Sequence, residues 1–369
     1  MHYFYKLNLL IINENKMKIL FGVLDWGLGH ATRDIPLIEG LLSKGYSVDI
    51  VSTGRALKIL KEKFGGRCNY YDIPSLYVPQ VYSSYFLLAC AMNLHKMTAS
   101  ILKARKGVNK IIKKGKYDLI ISDNRFELYD KKENSIMIIH TLNFENNILK
   151  YPITKVMEFV TKPYGTLIVP DFPKKAIADV MSQNKNIHHK NIYHIGVLSQ
   201  IRKKRYKKDI DYFISLSGPE PQRTILENKL IKQCLKLKGN IVIAGANPDV
   251  NETKNLSKNI KFYSFLNTQY QEEMMNRAKF IITRSGFTTT ANMIELGKKK
   301  ALLIPCPGQP EQEYLADLYE RKKYFHHVHQ EEVDLEKDIK VAMKGFKGFR
   351  PPWRTKKSVK KFLKIIRKK

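Results

Sequence analysis

Twice along this chain, short apolar runs rich in β-branched residues alternate with longer amphipathic stretches, and that alternation leaves few folds open. A strand covered on both faces reads as a continuous apolar run, and the return to a parallel neighbour needs a helix-length crossover. In the first series the pattern predicts a strand over Lys18–Val23, a turn, a helix over 31–42 closed by Gly45, and a strand over Ser47–Ser52. Strands over 69–73, 118–122, 136–141, 167–170 and 192–197 follow, with a helical region over 84–114. A basic stretch, 200–208, interrupts. The second series predicts strands over 212–216, 240–244, 260–265, 280–283 and 301–305, and helices over 223–237, 269–277, 288–296 and 311–321. No short-period repeat is present, which excludes a solenoid.

The expected fold is therefore α/β, with two tandem Rossmann-like domains and a cleft between them. A single core stops growing at roughly 250–300 residues, and this chain has 369. The expected division is an extension over 1–16, a first domain over 17–199, a linker over 200–210, a second domain over 211–350 and a basic helix over 351–369. Met17 reads as the natural start. In the tail, Val359, Phe362, Leu363, Ile365 and Ile366 form one apolar face. Such a helix either lies on a membrane surface or packs back onto the fold; the packed form is the expectation.

Lys and Arg number 65 against 34 Asp and Glu, a formal charge of +31. That field attracts phosphate-bearing ligands, nucleic acid or an anionic membrane, unless the excess is a solvated face. Cys68, Cys90, Cys234 and Cys306 form no C-x-x-C pair, which argues against a zinc ribbon or disulfide framework. No apolar run approaches the roughly 18–20 residues needed to span a bilayer. The expected location is cytoplasmic, peripheral to the inner face of the membrane.

Open α/β sheets bind ligands at the carboxyl ends of their strands. Three segments there carry candidate chemistry. The first strand runs into Asp25-Trp-Gly27-Leu-Gly29-His30-Ala-Thr-Arg33, where two glycines allow a sharp turn at a helix mouth and His30 suits general-base work. The plain reading is a helix cap. Asp123 ends another strand and can orient His30, or merely cap a turn; Arg125 nearby can bind an anionic acceptor or pair with Asp123. In the second half, Ser217 and Gly218 end a strand. Arg284-Ser285-Gly286-Phe-Thr288-Thr289-Thr290 opens a helix with more hydroxyls than a cap needs, a recipe for a diphosphate. Pro305-Cys-Pro-Gly308-Gln309-Pro-Glu311-Gln312-Glu313-Tyr314 offers amides and carboxylates suited to sugar hydroxyls, or an ordinary polar first turn.

Together these segments resemble the GT-B glycosyltransferases, most closely the family 28 type that includes the MurG-like enzymes. The Gly29-His30-x-x-Arg33 and Pro307-to-Tyr314 patterns also resemble a less characterised branch of probable glycosyltransferases. The resemblance implies a nucleotide-sugar donor, UDP-linked, on the C-terminal domain, an acceptor entering from the N-terminal domain, inversion, no cofactor and no essential metal. It implies Ser217, Gly218, Arg284, Ser285, Gly286, Thr288 and Thr289 around the diphosphate. It implies Gln309, Gln312 and Glu313 at the sugar, Asn292 at the ribose where the family commonly has Glu, and His30 with Asp123 at the acceptor hydroxyl. Gly27, Gly29, Arg33 and Arg125 would line the acceptor side. The apolar-aromatic cluster of Tyr77, Val78, Val81, Tyr82, Tyr85, Phe86, Leu87 and Leu88, followed by Lys96, Lys103 and Arg105, suits a lipid-linked acceptor at an anionic surface or a core helix. A nucleotide-sugar epimerase of the same fold would turn over donor alone. A nucleic-acid binder rests on charge only, since no stacking platform or recognition motif is present. A catalytically dead sugar-binding protein would lose nothing with His30→Ala.

Overall fold

The computed structural model describes residues 17–77, 79, 89, 92–143, 150–174, 176–183, 187–247, 250 and 252–369. The extension over 1–16, Cys90 and most of the apolar-aromatic cluster lie outside the described residues.

The first half builds one parallel seven-stranded sheet. Its strands are β1 (Lys18–Val23), β2 (Ser47–Ser52), β3 (Asn69–Asp72), β4 (Leu119–Asp123), β5 (Ser135–Ile138), β6 (Thr166–Val169) and β7 (Ile192–His194), in the order β3-β2-β1-β4-β5-β6-β7. Strands β1, β4 and β5 are almost wholly buried, as continuous apolar runs require when helices cover both faces. The helices are α1 (Gly29–Ser43), α2 (Gly54–Phe64), α3 (Leu94–Gly115) and α4 (Lys150–Thr161).

The second half repeats the plan with β8 (Ile210–Ser215), β9 (Ile241–Ala244), β10 (Thr253–Ser257), β11 (Ile260–Tyr263), β12 (Ala278–Thr283), β13 (Ala301–Leu303) and β14 (His326–His327), in the order β10-β11-β9-β8-β12-β13-β14. Only the β10–β11 pair is antiparallel among the described strand pairs. Its helices are α5 (Gln222–Cys234), α6 (Thr268–Arg277), α7 (Phe287–Leu296), α8 (Pro310–Arg321) and α9 (Leu335–Gly345).

A last helix, α10 (Thr355–Ile366), returns to the first half. Phe362, Leu363 and Ile366 join the core beneath β1 and α1, and Lys356, Lys357, Lys360, Lys364 and Arg367 stay in water. The apolar face of the tail therefore packs inward. Gly40 on α1 permits the crossing: a Cβ there would meet Val359 Cγ1 at 2.7 Å.

The chain thus passes between the halves twice, after β7 and before α10. Both passages are fastened to α7. Ser199 donates its hydroxyl to Asn292 Oδ1 at 2.7 Å. The Glu295 carboxylate accepts the Thr355 backbone N–H and hydroxyl, each at 2.9 Å, and Arg354 donates to the Glu295 carbonyl at 2.8 Å. Trp353 Nε1 donates to the Ile195 carbonyl at 2.8 Å, so the second passage is also tied directly to the first.

Candidate active site

The carboxyl ends of the two sheets face each other. Thr288 Oγ1, in the first turn of α7, donates to the Gly29 carbonyl at 3.3 Å, and a Cβ on Gly29 would meet that oxygen at 3.1 Å. Glycine is what lets the two helix mouths approach this closely.

On the first-half side, His30 stands in the opening turn of α1 and Asp123 ends β4, its register partner being Val23 of β1. His30 Nδ1 lies 2.7 Å from Asp123 Oδ2. Arg33, one turn along α1, donates to Asp123 Oδ1 at 2.5 Å and also approaches His30 Nδ1 at 3.0 Å. A nitrogen cannot both donate to the carboxylate and accept from the guanidinium. The shorter contact to a formal charge puts the proton on Nδ1 and leaves Nε2 with a lone pair.

Burial lowers the His30 pKa, Asp123 partly offsets that, and Arg33 lowers it again, so the ring sits below its ordinary value. Burial would raise Asp123, but Arg33 and His30 outweigh it and hold the carboxylate well below the usual range. Asp34 is also fully buried. Burial and the adjacent Asp123 charge push its pKa well above the usual carboxylate range, and neither carboxyl oxygen has a hydrogen-bond partner among the described residues.

On the other side, Gly286 caps α7 by backbone alone, with no side-chain bond to the first-turn N–H groups and open space beside its Cα. Thr288 and Thr289 are partly exposed there, and Ser217 and Gly218 stand at the end of β8. Gly218 has φ +112°, which a side chain would strain. The loop after β13 holds its own shape: Gln312 accepts the Cys306 N–H at 3.1 Å and donates to Gln309 Oε1, and Glu313 accepts the Gly308 N–H at 3.1 Å.

Residues 222–364 match the model of the glycosyltransferase family 28 C-terminal domain, and residues 17–156 match the glycosyl transferase family 1 model. The chain is a GT-B glycosyltransferase of the family 28 type. An uncharacterised glycosyltransferase of Methanosarcina mazei is 25% identical over 331 residues, covering 84% of each chain. Among solved structures, the glycotransferase of kitacinnamycin superposes with a TM-score of 0.68 at 11% identity, over 96% of this chain and 99% of that one. MurG of Acinetobacter baumannii gives 0.55 at 13%, over 95% and 100%. The glycosyltransferase VinC, in complex with dTDP, gives 0.60 at 10%, over 95% and 99%. These likenesses show the shared GT-B fold.

Within this glycosyltransferase, five residues singled out from sequence are engaged inside the fold. Arg284 is fully buried and donates to the carbonyls of Ser217, Gln222, Ile304 and Pro305 and to Gln330 Oε1. It braces the loops that follow β8 and β13, and all five of its N–H groups are used in doing so. Arg125 is buried against Glu127, 2.6 Å away, and the Pro74 carbonyl, not against Asp123, so it is not presented to an acceptor. Arg33 is buried among Asp123, His30 and His140 and orients them instead of meeting an acceptor directly. Asn292 Oδ1 accepts from the Ser199 hydroxyl, at the passage between the halves. Ser285 is fully buried with its hydroxyl donated to the Gln312 carbonyl at 2.7 Å, so its side chain is spent inside the fold.

Three residues were not singled out: Asp34, His140 and Glu311. His140 lies just past β5, inside the run read as strand over 136–141. The rule that strand carboxyl ends carry function points to it once the strand is ended at Ile138.

Proposed function

We propose that this enzyme moves a hexose or N-acetylhexosamine from a nucleotide-sugar donor, UDP-linked, to a hydroxyl or phosphate of a lipid-linked acceptor, with inversion and without an essential metal. The observation that carries the reading is the His30–Asp123 pair, one residue from the Gly29 contact with Thr288 and opposite the uncapped mouth of α7.

In this reading the donor lies in 211–350 and the acceptor enters from 17–199. The free N–H groups of the first turn of α7, with Thr288, Thr289, Gly286, Ser217 and Gly218, receive the diphosphate at the positive end of the helix. The acceptor hydroxyl gives its proton to His30 Nε2 as its oxygen attacks the anomeric carbon, and the bond from that carbon to the phosphate oxygen breaks on the opposite side. Asp123 holds the ring in the required tautomer and stabilises the imidazolium. The leaving diphosphate keeps the electron pair, and the helix end and hydroxyls meet its charge. Gln309, Gln312 and Glu313 shape the sugar loop, with Glu311 open to the cleft. The glycines at 27 and 29 leave room on the acceptor side.

What supports a lipid-linked acceptor is the surface of α3 and α4. Met92 is 70% exposed and Leu94 63%, in one stretch of chain with exposed Lys96, Lys103 and Lys106, and on α4 Phe159 is 77% exposed with Lys162 three residues on; each is an apolar and basic combination that suits anionic headgroups. Among the described residues no helix is long and apolar enough to cross a membrane.

The test is a thermal-shift panel of UDP-, dTDP- and GDP-sugars, followed by transfer assays with the donor that binds. Binding stabilises the native state and raises the midpoint. A midpoint unmoved by every nucleotide sugar would overturn the reading. Turnover of donor sugar to its epimer without an acceptor would replace transfer by epimerisation.

A further inference from the structure

We propose that His140 is a positioning residue that aims Glu311 at the donor sugar and keys that aim to the His30–Asp123 pair through Arg33. The inference deepens the donor reading above and rests on it.

A buried histidine that only fills a core finds its partners on its own side. His140 has neighbours on α1 (Arg33 and the His30 ring, 5.9 Å between centres), on α7 and on α8, and the last two belong to the other half. Its Nδ1 is 3.0 Å from an Arg33 Nη, its Nε2 is 3.4 Å from Glu311 Oε2, and its ring centre lies 4.9 Å from that of Phe287. Arginine offers no acceptor, so Nδ1 must accept; the ring proton is then on Nε2, which donates to Glu311. The same guanidinium holds Asp123 and approaches His30. One neutral imidazole therefore joins the proton-accepting pair on the first half to the mouths of both helices that frame the donor.

Glu311 opens α8 with a side chain 41% exposed. With Oε2 held by His140, Oε1 remains for a sugar hydroxyl. Restricting a long side chain before the ligand arrives removes an ordering cost from binding, roughly a three- to tenfold gain for one such side chain. The gain belongs to the sugar and not to the nucleotide.

The experiment is calorimetric titration of the intact protein with matched pairs: UDP-N-acetylglucosamine and UDP-glucose against UDP, dTDP-glucose against dTDP, and GDP-mannose against GDP. His140→Phe keeps a ring against Phe287 and removes both polar contacts. The expected result is about three- to tenfold weaker binding of the sugar nucleotide, with binding of its bare diphosphate unchanged. Glu311→Gln, on a partly exposed side chain, should show a similar loss, and the double variant little more than either alone. His140→Gln, whose amide can accept and donate, should recover part of the loss. Equal losses for sugar nucleotide and bare diphosphate, or additive losses in the double variant, would overturn the proposal. His30→Ala separates the two readings: it should bind both ligands fully while transfer falls by roughly 10²–10⁴-fold. Undiminished transfer in that variant would remove His30 as base and leave the binding result for His140 standing. No heat from any sugar nucleotide with the unaltered protein would sink both.

Discussion

Phe362→Ala tests whether the last helix belongs to the first half. Phe362 is fully buried in the cluster that includes Ile19, Phe21, Ile35, Ile38 and Leu41, although more than 300 residues of chain separate it from β1. Emptying such a site costs about 3–5 kcal/mol, the lost transfer energy plus the cavity. Against a domain stability of about 5–15 kcal/mol this is a large fraction. For a unit of roughly 150–250 residues it corresponds to a fall of about 6–20 °C in the midpoint of that half. The assay is scanning calorimetry with hydrogen exchange read peptide by peptide, because two halves need not melt together. Peptides from β1, β2 and α1 should lose protection, while those from β8 and β12 keep theirs. A midpoint shift below what about 0.5 kcal/mol produces would mean that the apolar face of α10 is not packed as described, and that the helix is free to serve a membrane surface. Loss of protection confined to the second half would equally refute the assignment.

Four further outcomes follow from the site. His30→Ala should lower transfer by roughly 10²–10⁴-fold with donor affinity retained, and the acid limb of the unaltered enzyme should lie below pH 6.5, because burial lowers the His30 pKa. Asp123→Asn removes the charge that most raises that pKa, so its limb should move to lower pH while its plateau falls; a limb displaced upward would contradict the assigned pairing. Arg284→Ala removes the partner of five acceptors, three of them in buried bonds worth about 1–3 kcal/mol each when left unpaired, so insoluble or strongly destabilised protein is expected; a fully stable variant with weakened nucleotide binding would restore it to the phosphate. Asp34 keeps its proton in the folded state above its ordinary value, so its contribution is full at acid pH and is lost as pH rises above about 4. Asp34→Asn should therefore raise the thermal midpoint at pH 8 and leave it unchanged near pH 4, checked by differential scanning fluorimetry.

The sheet strands were legible because burial on both faces writes them as unbroken apolar runs. Strands β1, β2, β4 and β12 fall within a residue or two of their expected bounds. Strand β10, Thr-Lys-Asn-Leu-Ser, was not, since an exposed edge strand pairs through its backbone and needs no apolar alternation. Helix α9 was missed although Leu335, Ile339 and Ala342 carry a helical spacing. At the site, glycine and hydroxyl runs advertised the helix mouths, and His30 with Asp123 could be paired from strand ends. The arginines misled. Arg125 and Arg284 are charged in the sequence, yet their hydrogen-bond partners are distant carbonyls and Glu127, and only the folded chain reveals which charges are consumed internally. Glu311 stood inside a recognised motif, but the contact that marks it is with His140, 171 positions away.

Helix α7 also sets a gauge for the molecule. Its ten residues span about 15 Å, with the turn proposed to receive the diphosphate at one end and Asn292 and Glu295, which fasten both passages between the halves, toward the other. One residue inserted between those ends would rotate them by about 100° relative to each other. The two functions would then point in different directions, with each end still well formed. The length of this helix is thus under joint constraint from ligand and articulation, and sequence drift in this protein is free to lengthen surface loops but not this segment.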